Sequence, residues 1–338
     1  MNLSYHIRQL PFHFPFTISK GTKTHQPTFI VELEWKGIKG YGEAPAITYY
    51  HISVEKMAED LEGKRRMLES FALTDPERYW HFLHHLFPNN PFLVCALDMA
   101  GWDLFGKLAK RPLHVLWKSD LTKMPVTDYT IGIDSADIMI GKIQQKPWPV
   151  YKIKVGFPGD MEILANLRRN TNAALRVDAN AGWTFEEAIV KIPVMKELGV
   201  ELVEQPLKKD NWEEMGKLYK VSDLPLFADE SCVSEHDVEK CKGFFHGINI
   251  KLTKCSGPTP ARRMIKKARL LDLKIMLGCM NESSIGTAAM VHLAPLVDFL
   301  DADGPMLLAE DLATGLFYEN GRIDFKETLP GLGVNVLL

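Results

Sequence analysis

The chain has 338 residues, of which 46% are hydrophobic and 25% are charged, and this composition excludes an intrinsically disordered protein. Forty basic and 43 acidic residues give a net charge of −3, so the basic excess needed to bind a nucleic-acid backbone is missing. The apolar stretches are too short for a membrane-spanning helix, and the N-terminus has no signal-peptide core. Five cysteines without a CxxC pair indicate free, reduced thiols, so we expect a cytoplasmic protein.

Residues 1–118 begin with strand-like runs and continue with helical patterns. Val54–Leu68 and Pro91–Leu108 carry apolar residues at three- and four-residue spacing, which is typical of amphipathic helices. Strands followed by helices predict a compact α+β unit. We expect residues 310–338, which return to glycine- and proline-rich coil and short strands, to pack back onto this unit and complete it.

Residues 119–309 alternate short β-rich runs with amphipathic segments. Eight strands are predicted, at 125–131, 149–155, 174–179, 201–205, 225–229, 247–252, 273–278 and 298–302. One helix is expected to start at Thr184, where Glu187 completes a capping box. Eight strands alternating with seven helices predict an α/β fold, a TIM-like (β/α)7β barrel. The alternative is a doubly wound sheet, but the glycine-rich phosphate turn typical of that fold is missing after the first strand.

Charged residues recur at the predicted carboxyl ends of the strands, where such a barrel holds its catalytic groups. These residues are Lys152, Lys154, Asp178, Glu204, Asp229, Lys251, Asp301 and Asp303. From Lys154 to Lys251 the successive spacings are 24, 26, 25 and 22 residues, close to one βα unit each, so the groups converge on one mouth. Asp178, Glu204 and Asp229 repel one another unless a cation joins them, and all-oxygen ligands suit Mg²⁺. The alternative is three unrelated carboxylates at the surface ends of strands.

Two lysines are expected to face each other across the barrel. Lys154 ends the second strand and Lys251 ends the sixth, which puts one amino group on each side of a substrate. Lys152 adds a like charge that would lower a neighbouring lysine's pKa and make that lysine a usable base. This arrangement suits proton abstraction next to a carboxylate, with Mg²⁺ and Lys152 stabilising the resulting enediolate.

The chain resembles the enolase superfamily, in its muconate-lactonising-enzyme subgroup, over essentially its whole length. The resemblance rests on five segments: Tyr151–Gly156, Arg176–Asn180, Val203–Pro206, Ala228–Ser231 and Asn249–Lys254. It implies a capping domain (1–118) over the barrel (119–309), one Mg²⁺ on the three carboxylates, and Lys154 and Lys251 as the acid/base pair. It also implies supporting roles for Asn180, Glu230 and Asn249, with Glu230 as the partner of a lysine.

The residues at the ends of the seventh and eighth predicted strands reduce the number of activities that fit the sequence. The mandelate-racemase branch has a histidine base after strand seven, whereas Gly278–Glu282 contains no histidine, which excludes that branch. Asp301 and Asp303 offer a counter-ion to a cation, and a dipeptide, unlike a muconate, a succinylbenzoate or an N-acylamino acid, carries an α-ammonium. This Asp-x-Asp resembles that of the dipeptide epimerases and implies a dipeptide substrate such as alanyl-glutamate.

Several alternatives remain open beside that activity. Within the subgroup they are N-acylamino-acid racemase, o-succinylbenzoate synthase and cycloisomerase, and outside catalysis a silent binding protein of the same fold. Thr130 is expected to donate to the substrate, and Cys279 to line the pocket through its backbone. Lys20 or Lys23 of a capping-domain flap would meet a glutamate side chain, although glutamate-specific relatives often have arginine there. The expected partners are a small dipeptide and a further copy of the chain, not nucleic acid or a membrane.

Overall fold

A computed structural model describes every residue from Met1 to Leu338, and its N-terminal part is a three-stranded antiparallel sheet packed on helices. The strands are β1 (Asn2–Ile18), β2 (Gly21–Trp35) and β3 (Ile38–Pro45), and the helices are α1 (Val54–Ser70), α2 (Pro76–Leu86), α3 (Pro91–Leu108) and α4 (Leu113–Trp117). Helix α3 is buried along almost its whole length and lies against β3. Gly42 makes this approach possible, because a Cβ there would clash with the carbonyl oxygen of Ala96. None of the helices combines the length and apolar character that a transmembrane segment needs.

The central part of the chain is a closed parallel barrel. Its strands are β4 (Tyr129–Ile131), β5 (Val150–Lys154), β6 (Ala174–Asp178), β7 (Val200–Glu204), β8 (Leu226–Ala228), β9 (Gly247–Ile250), β10 (Lys274–Gly278) and β11 (Phe299–Asp301). The helices between them are α5 (Ala136–Gln145), α6 (Asp160–Asn170), α7 (Phe185–Glu197), α8 (Trp212–Val221), α9 (Asp237–Lys240), α10 (Pro258–Leu270) and α11 (Ser284–Leu293). Neighbouring strands pair in sequence order, and a bridge between Thr127 and Leu300 closes the seam between β4 and β11. The predicted (β/α)7β barrel is confirmed.

The first barrel strand is shorter than residues 125–131 predicted. Tyr129–Ile131 pair with β5 as a strand, whereas the segment before them forms only the single bridge from Thr127 to Leu300 and is otherwise engaged outside the sheet ladder. The N–H of Thr127 donates to the carbonyl of Gly321 at 2.8 Å, and the Asp128 carboxylate accepts from Arg176 at 2.9 Å inside the barrel. By contrast, the predicted capping box at the start of α7 is present, with both hydrogen bonds between Thr184 and Glu187 formed.

Residues after the barrel contact both parts of the molecule. They form α12 (Gly304–Leu307), β12 (Ala313–Thr314), β13 (Leu316–Glu319), β14 (Arg322–Phe325) and β15 (Asn335–Val336). The N–H of Leu332 donates to the carboxylate of Asp103 on α3 at 2.8 Å. The hydroxyl of Tyr318 donates to the carbonyl of Ala302, at the end of β11, at 2.9 Å. The segment therefore ties the N-terminal part to the barrel.

Two buried carboxylates of the N-terminal part bind the first turns of barrel helices. Glu43 accepts from the N–H groups of Ser283 and Gly286, at 3.0 and 2.9 Å. Asp98 accepts from the N–H and the hydroxyl of Thr259, at 2.9 and 2.8 Å, and burial raises the pKa of Asp98 to about 8. Carboxylates at these positions satisfy N–H groups that a helix leaves unpaired. The N-terminal part thus holds the loops that follow β9 and β10 at the barrel mouth.

His292, in the last turn of the buried helix α11, is held as a neutral imidazole. Its Nδ1 accepts from the N–H of His114 at 3.2 Å, and its Nε2 lies 3.1 Å from the carbonyl of Leu332. An acceptor at Nδ1 and a donor at Nε2 define one neutral tautomer. Burial, reinforced by the neighbouring His114, lowers the pKa of His292 to about 3. Protonation of this side chain therefore favours the unfolded chain.

We expect the free energy of unfolding to fall as the pH drops below about 6.5, where an unfolded histidine takes up a proton that folded His292 refuses. This one group accounts for up to about 1.4 kcal/mol per pH unit over that range. Urea unfolding of His292→Gln at pH 7 and pH 5 should show a correspondingly flatter pH dependence than wild type. His25→Gln, at an exposed position, is the control and should not flatten it. Equal pH slopes for wild type and His292→Gln would contradict this account.

Candidate active site

A cavity of about 490 Å³ lies between the barrel mouth and the N-terminal part. The turn between β1 and β2 and the loop after β3 cover it from above. Nine of the residues predicted for the site line it: Thr130, Lys154, Asn180, Asp229, Glu230, Lys251, Cys279, Asp301 and Asp303. Four others, Lys152, Asp178, Glu204 and Asn249, are buried beneath its floor. The strand ends therefore meet at one mouth, as their spacing predicted.

Three carboxylates form a compact cluster at the floor. The nearest oxygens of Asp178, Glu204 and Asp229 all lie within 4.8 Å of one another, and the three side chains are buried. Asp178 and Glu204 are register partners at the ends of β6 and β7. Burial, and then the charge of Asp178, raise the pKa of Glu204 to about 7. The neighbouring Asn180 Oδ1 has no hydrogen-bond donor. Three clustered carboxylates with an unsatisfied amide oxygen beside them fit a hard divalent cation such as Mg²⁺.

Two lysines flank the carboxylate cluster from opposite sides. The Nζ of Lys154, on β5, lies 2.6 Å from Asp178, and the Nζ of Lys251, after β9, lies 2.9 Å from Asp229. Four steps around an eight-stranded barrel separate β5 from β9, so the two strands face each other. Burial alone would lower the pKa of Lys251, but the carboxylates of Asp229 and Glu204 outweigh it and raise that pKa. The opposed pair expected from the sequence is thus present in the geometry.

We expected the positive charge of Lys152 to lower the pKa of a neighbouring lysine. In the structure, carboxylates compensate this charge. Its Nζ lies 2.7 Å from Glu204 Oε2 and 2.7 Å from Asp301 Oδ2. Burial acts to lower the pKa of Lys152, but the charges of Asp301 and Glu204 prevail and raise it well above its usual range. The sequence pattern could not show this compensation, because it depends on side chains from three separate strands. Lys152 is a fixed ammonium between carboxylates.

Asp301 and Asp303 face the cavity from the end of β11 with different partners. Asp301 pairs with Lys152, whereas Asp303 accepts from the N–H of Thr130 and from the thiol of Cys279, whose Sγ lies 3.6 Å away. Burial and the charge of Asp301 raise the pKa of Asp303 to about 6. Thr130 therefore contacts Asp303 through its N–H, and Cys279 contacts Asp303 through its thiol. The expected contacts of Thr130 and of the Cys279 backbone with a substrate stay predictions. Unlike Asp301, Asp303 forms no salt bridge.

Two of the three supporting residues hold carboxylates of the cluster, and the third holds a lysine of the N-terminal part. The N–H of Asn180 donates to Asp178 at 2.8 Å, and Nδ2 of Asn249 donates to Glu204 at 2.8 Å. Glu230 pairs with Lys20 from the β1–β2 turn. The lysine expected for Glu230 thus comes from the N-terminal part, not from the barrel. The Nζ of Lys20 also lies over the ring of Tyr49, 3.7 Å from its centre, so this ammonium is already engaged.

Two residues that the sequence analysis did not single out also hold Asp229. The Nζ of buried Lys254 donates to the carbonyl of Asp229 at 2.6 Å and pairs with its carboxylate. Burial would raise the pKa of Asp229, but Lys251 and Lys254 hold it well below its usual range. The second residue is Gln205, whose amide accepts from the N–H of Asp229. The signal for Lys254 was its position three residues after Lys251, so that it follows the same strand end; nothing in its immediate neighbourhood marked Gln205.

Comparison with known proteins agrees with this geometry. The N-terminal domain model of mandelate racemase/muconate lactonizing enzyme matches residues 4–117, and the enolase C-terminal domain-like model matches residues 140–337. An L-Ala-D/L-amino acid epimerase of Flavobacterium johnsoniae is 47% identical over 322 residues, covering 95% of this chain and 96% of that protein.

Two solved structures are similar over nearly the whole chain. The substrate-liganded L-Ala-D/L-Glu epimerase of Bacillus subtilis has a TM-score of 0.94 and 27% identity, covering 100% of this chain and 99% of that one. The dipeptide epimerase of Cytophaga hutchinsonii, complexed with Mg and D-Ala-L-Val, has a TM-score of 0.92 and 26% identity, covering 99% and 95%. The chain therefore belongs to the enolase superfamily, in the mandelate racemase/muconate lactonizing enzyme family, where its relatives include dipeptide epimerases.

Proposed function

We propose that this chain is a Mg²⁺-dependent dipeptide epimerase that inverts the α-carbon of the C-terminal residue by 1,1-proton transfer. One observation carries the proposal: Lys154 and Lys251 line one cavity from opposite strands, on either side of a carboxylate cluster. Two bases facing each other are what inversion at a carbon requires, because the proton leaves one face and returns to the other. The relatives named dipeptide epimerases support the same activity.

The residues divide the work as follows. Asp178, Glu204 and Asp229 would hold the metal ion, which when bound supplies positive charge to the substrate carboxylate and acidifies the adjacent C–H. One of Lys154 and Lys251 removes the α-proton while the other, as an ammonium, protonates the opposite face. Both side chains are nearly buried at the cavity wall, so few water molecules compete for that proton.

Recognition of a dipeptide rests on Asp301, which ends β11, and Asp303, which follows that strand. Asp303 lines the cavity and has the N–H and side chain of Thr130 and the thiol of Cys279 as partners but no salt bridge, so a substrate ammonium would complete its surroundings. An N-acylamino acid, a succinylbenzoate or a muconate brings no cation to these carboxylates. The arrangement favours the dipeptide epimerase over these alternatives of the same family.

The second-residue side chain is proposed to meet Lys23 of the β1–β2 turn. Lys20 is already paired with Glu230 and covers Tyr49, whereas Lys23 lines the cavity with only a 3.4 Å contact to Gln26. Burial lowers the pKa of Lys23. An acidic side chain, as in alanyl-glutamate, suits Lys23, and the broader name of the Flavobacterium johnsoniae relative supports tolerance of other second residues.

The division of the chain into two domains is also part of the proposal. We propose a capping domain of residues 1–118, completed by 310–338, over a barrel domain of 119–309; the hydrogen bond from Leu332 to Asp103 supports this division.

All five cysteines are buried and unpaired, which supports a reducing compartment such as the cytoplasm. The proposed partner is a small dipeptide.

The proposal predicts Mg²⁺-dependent exchange of a single substrate proton. In deuterated water with Mg²⁺, L-Ala-L-Glu and other L-Ala dipeptides should lose the α-proton of the second residue and form the L,D isomer, as followed by NMR. Exhaustive chelation should abolish both signals, and added Mg²⁺ should restore them. A silent binding protein would produce neither signal. Full activity after chelation would contradict the proposed dependence of the reaction on a metal ion.

A further inference from the structure

The side chain of Gln205 is used completely in hydrogen bonding. This residue follows the cluster carboxylate Glu204 and is fully buried. Its Nε2 donates to the carbonyl of Leu207 and to the hydroxyl of Ser231, both at 2.9 Å. Its Oε1 accepts from the N–H groups of Asp229 and Ser231, at 2.9 and 3.1 Å. An amide has two donors and one doubly accepting oxygen, so all of its capacity is spent.

The backbone of Gln205 connects the ends of three successive strands. Its N–H donates to the carbonyl of Phe227 on β8, and its carbonyl accepts from Ala181 in the loop after β6, both at 2.8 Å. The residue has a φ of +36°, a conformation that non-glycine residues seldom adopt. Strain of this kind persists only where the surroundings overdetermine it. Gln205 is therefore pinned between the strand ends that carry the three carboxylates.

Asp229 needs such a support because it lies outside the sheet ladder. Strand β8 pairs with β7 only as far as Phe227 and with β9 only as far as Ala228, so both ladders end before Asp229. Asp178 and Glu204, by contrast, are register partners within a ladder. The N–H of Asp229 takes the amide oxygen of Gln205 as its acceptor in place of a neighbouring strand.

We propose that Gln205 is a positioning residue that sets the Asp229 backbone and thereby completes the geometry of the metal-binding carboxylates. The inference rests on the proposed function insofar as the three carboxylates bind a divalent cation. Lys254 holds the carboxylate and the backbone carbonyl of Asp229, whereas Gln205 holds its backbone N–H, so the two supports act on different groups. Removal of a support behind a metal ligand typically weakens metal affinity about 10- to 100-fold.

The test is Mn²⁺ binding, measured by electron paramagnetic resonance without substrate, in wild type and Gln205→Met. Methionine keeps the length of the side chain but removes the acceptor and both donors. We expect the Kd for Mn²⁺ to rise about 10- to 100-fold. Gln26→Met is the matched control, because Gln26 is also fully buried and donates to two backbone carbonyls, those of Pro27 and Ala46. This control should lose stability without losing Mn²⁺ affinity.

The outcomes separate the inference from the proposed function. If wild type fails to bind Mn²⁺, the proposed function fails; if wild type and Gln205→Met bind equally, only the positioning role fails. Should Gln205→Met lack cooperative thermal unfolding, Gln205→Asn replaces it. Asparagine keeps the amide but is one methylene shorter, so it cannot reach the N–H of Asp229 as Gln205 does at 2.9 Å, and its Kd for Mn²⁺ should also rise. Wild-type Mn²⁺ affinity in folded Gln205→Asn would overturn the positioning role.

Discussion

Lys154→Ala and Lys251→Ala should each abolish epimerisation of an L-Ala dipeptide, the largest effect expected of any substitution in this chain. Inversion needs one group to remove the α-proton and another to return a proton to the opposite face, and the two strands place one lysine on each side. Loss of either lysine leaves one face without a proton donor or acceptor. The change in optical configuration, followed by chromatography on a chiral phase, measures this loss.

Proton exchange should distinguish the two variants although both are inactive in epimerisation. The remaining lysine still faces one hydrogen, so each variant should exchange the α-proton of only one isomer in deuterated water, and the two variants should choose opposite isomers. Lys217→Ala, at an exposed position on α8, is the control and should keep wild-type rates. Epimerisation near the wild-type rate in Lys154→Ala or Lys251→Ala would refute the two-base arrangement.

The carboxylate cluster was predictable because the chain repeats one structural unit. Each βα step of about 25 residues returns to the same edge of the barrel, so Asp178, Glu204 and Asp229 meet whatever the intervening helices contain. The limits of the strands were less predictable. Residues 125–128 have strand-like composition, but beyond the bridge from Thr127 to Leu300 they are held by hydrogen bonds of Thr127 and Asp128 to Gly321 and Arg176, which lie far away in sequence. Tertiary contacts, not local preference, decide where that strand begins.

The ion pairs of the site lay beyond sequence reasoning for a different reason. Lys152 could be placed on an inward face from its spacing, but its pairing with Glu204 and Asp301 depends on side-chain reach across the barrel. The partner of Glu230 is Lys20, which lies 210 residues earlier in the chain. Only the docking of the N-terminal part onto the barrel brings the two side chains together. Neither contact has a local pattern from which it could be inferred.

Asp303→Asn should leave the fold and Mg²⁺ binding intact but reduce kcat/KM for free dipeptides roughly 10- to 150-fold. The factor corresponds to a charge-assisted hydrogen bond worth about 1.5 to 3 kcal/mol in a partly desolvated site. Asparagine preserves the shape and can still accept from the N–H of Thr130 through its carbonyl oxygen. Asp301 keeps its pairing with Lys152 in this variant, so the loss isolates the carboxylate that has no cation of its own.

The same interaction can be removed from the substrate by acetylating the amino group of the dipeptide. Wild type should then lose a similar factor, because the cation is gone while the carboxylate and the α-proton remain. Asp303→Asn with the acetylated dipeptide should be little worse than either change alone, since both remove one contact and their effects cannot add. Full additivity would place the α-ammonium elsewhere in the cavity. If wild type instead preferred N-acetylamino acids to free dipeptides, the activity would be that of an N-acylamino-acid racemase, and Asp303 would have no cation to recognise.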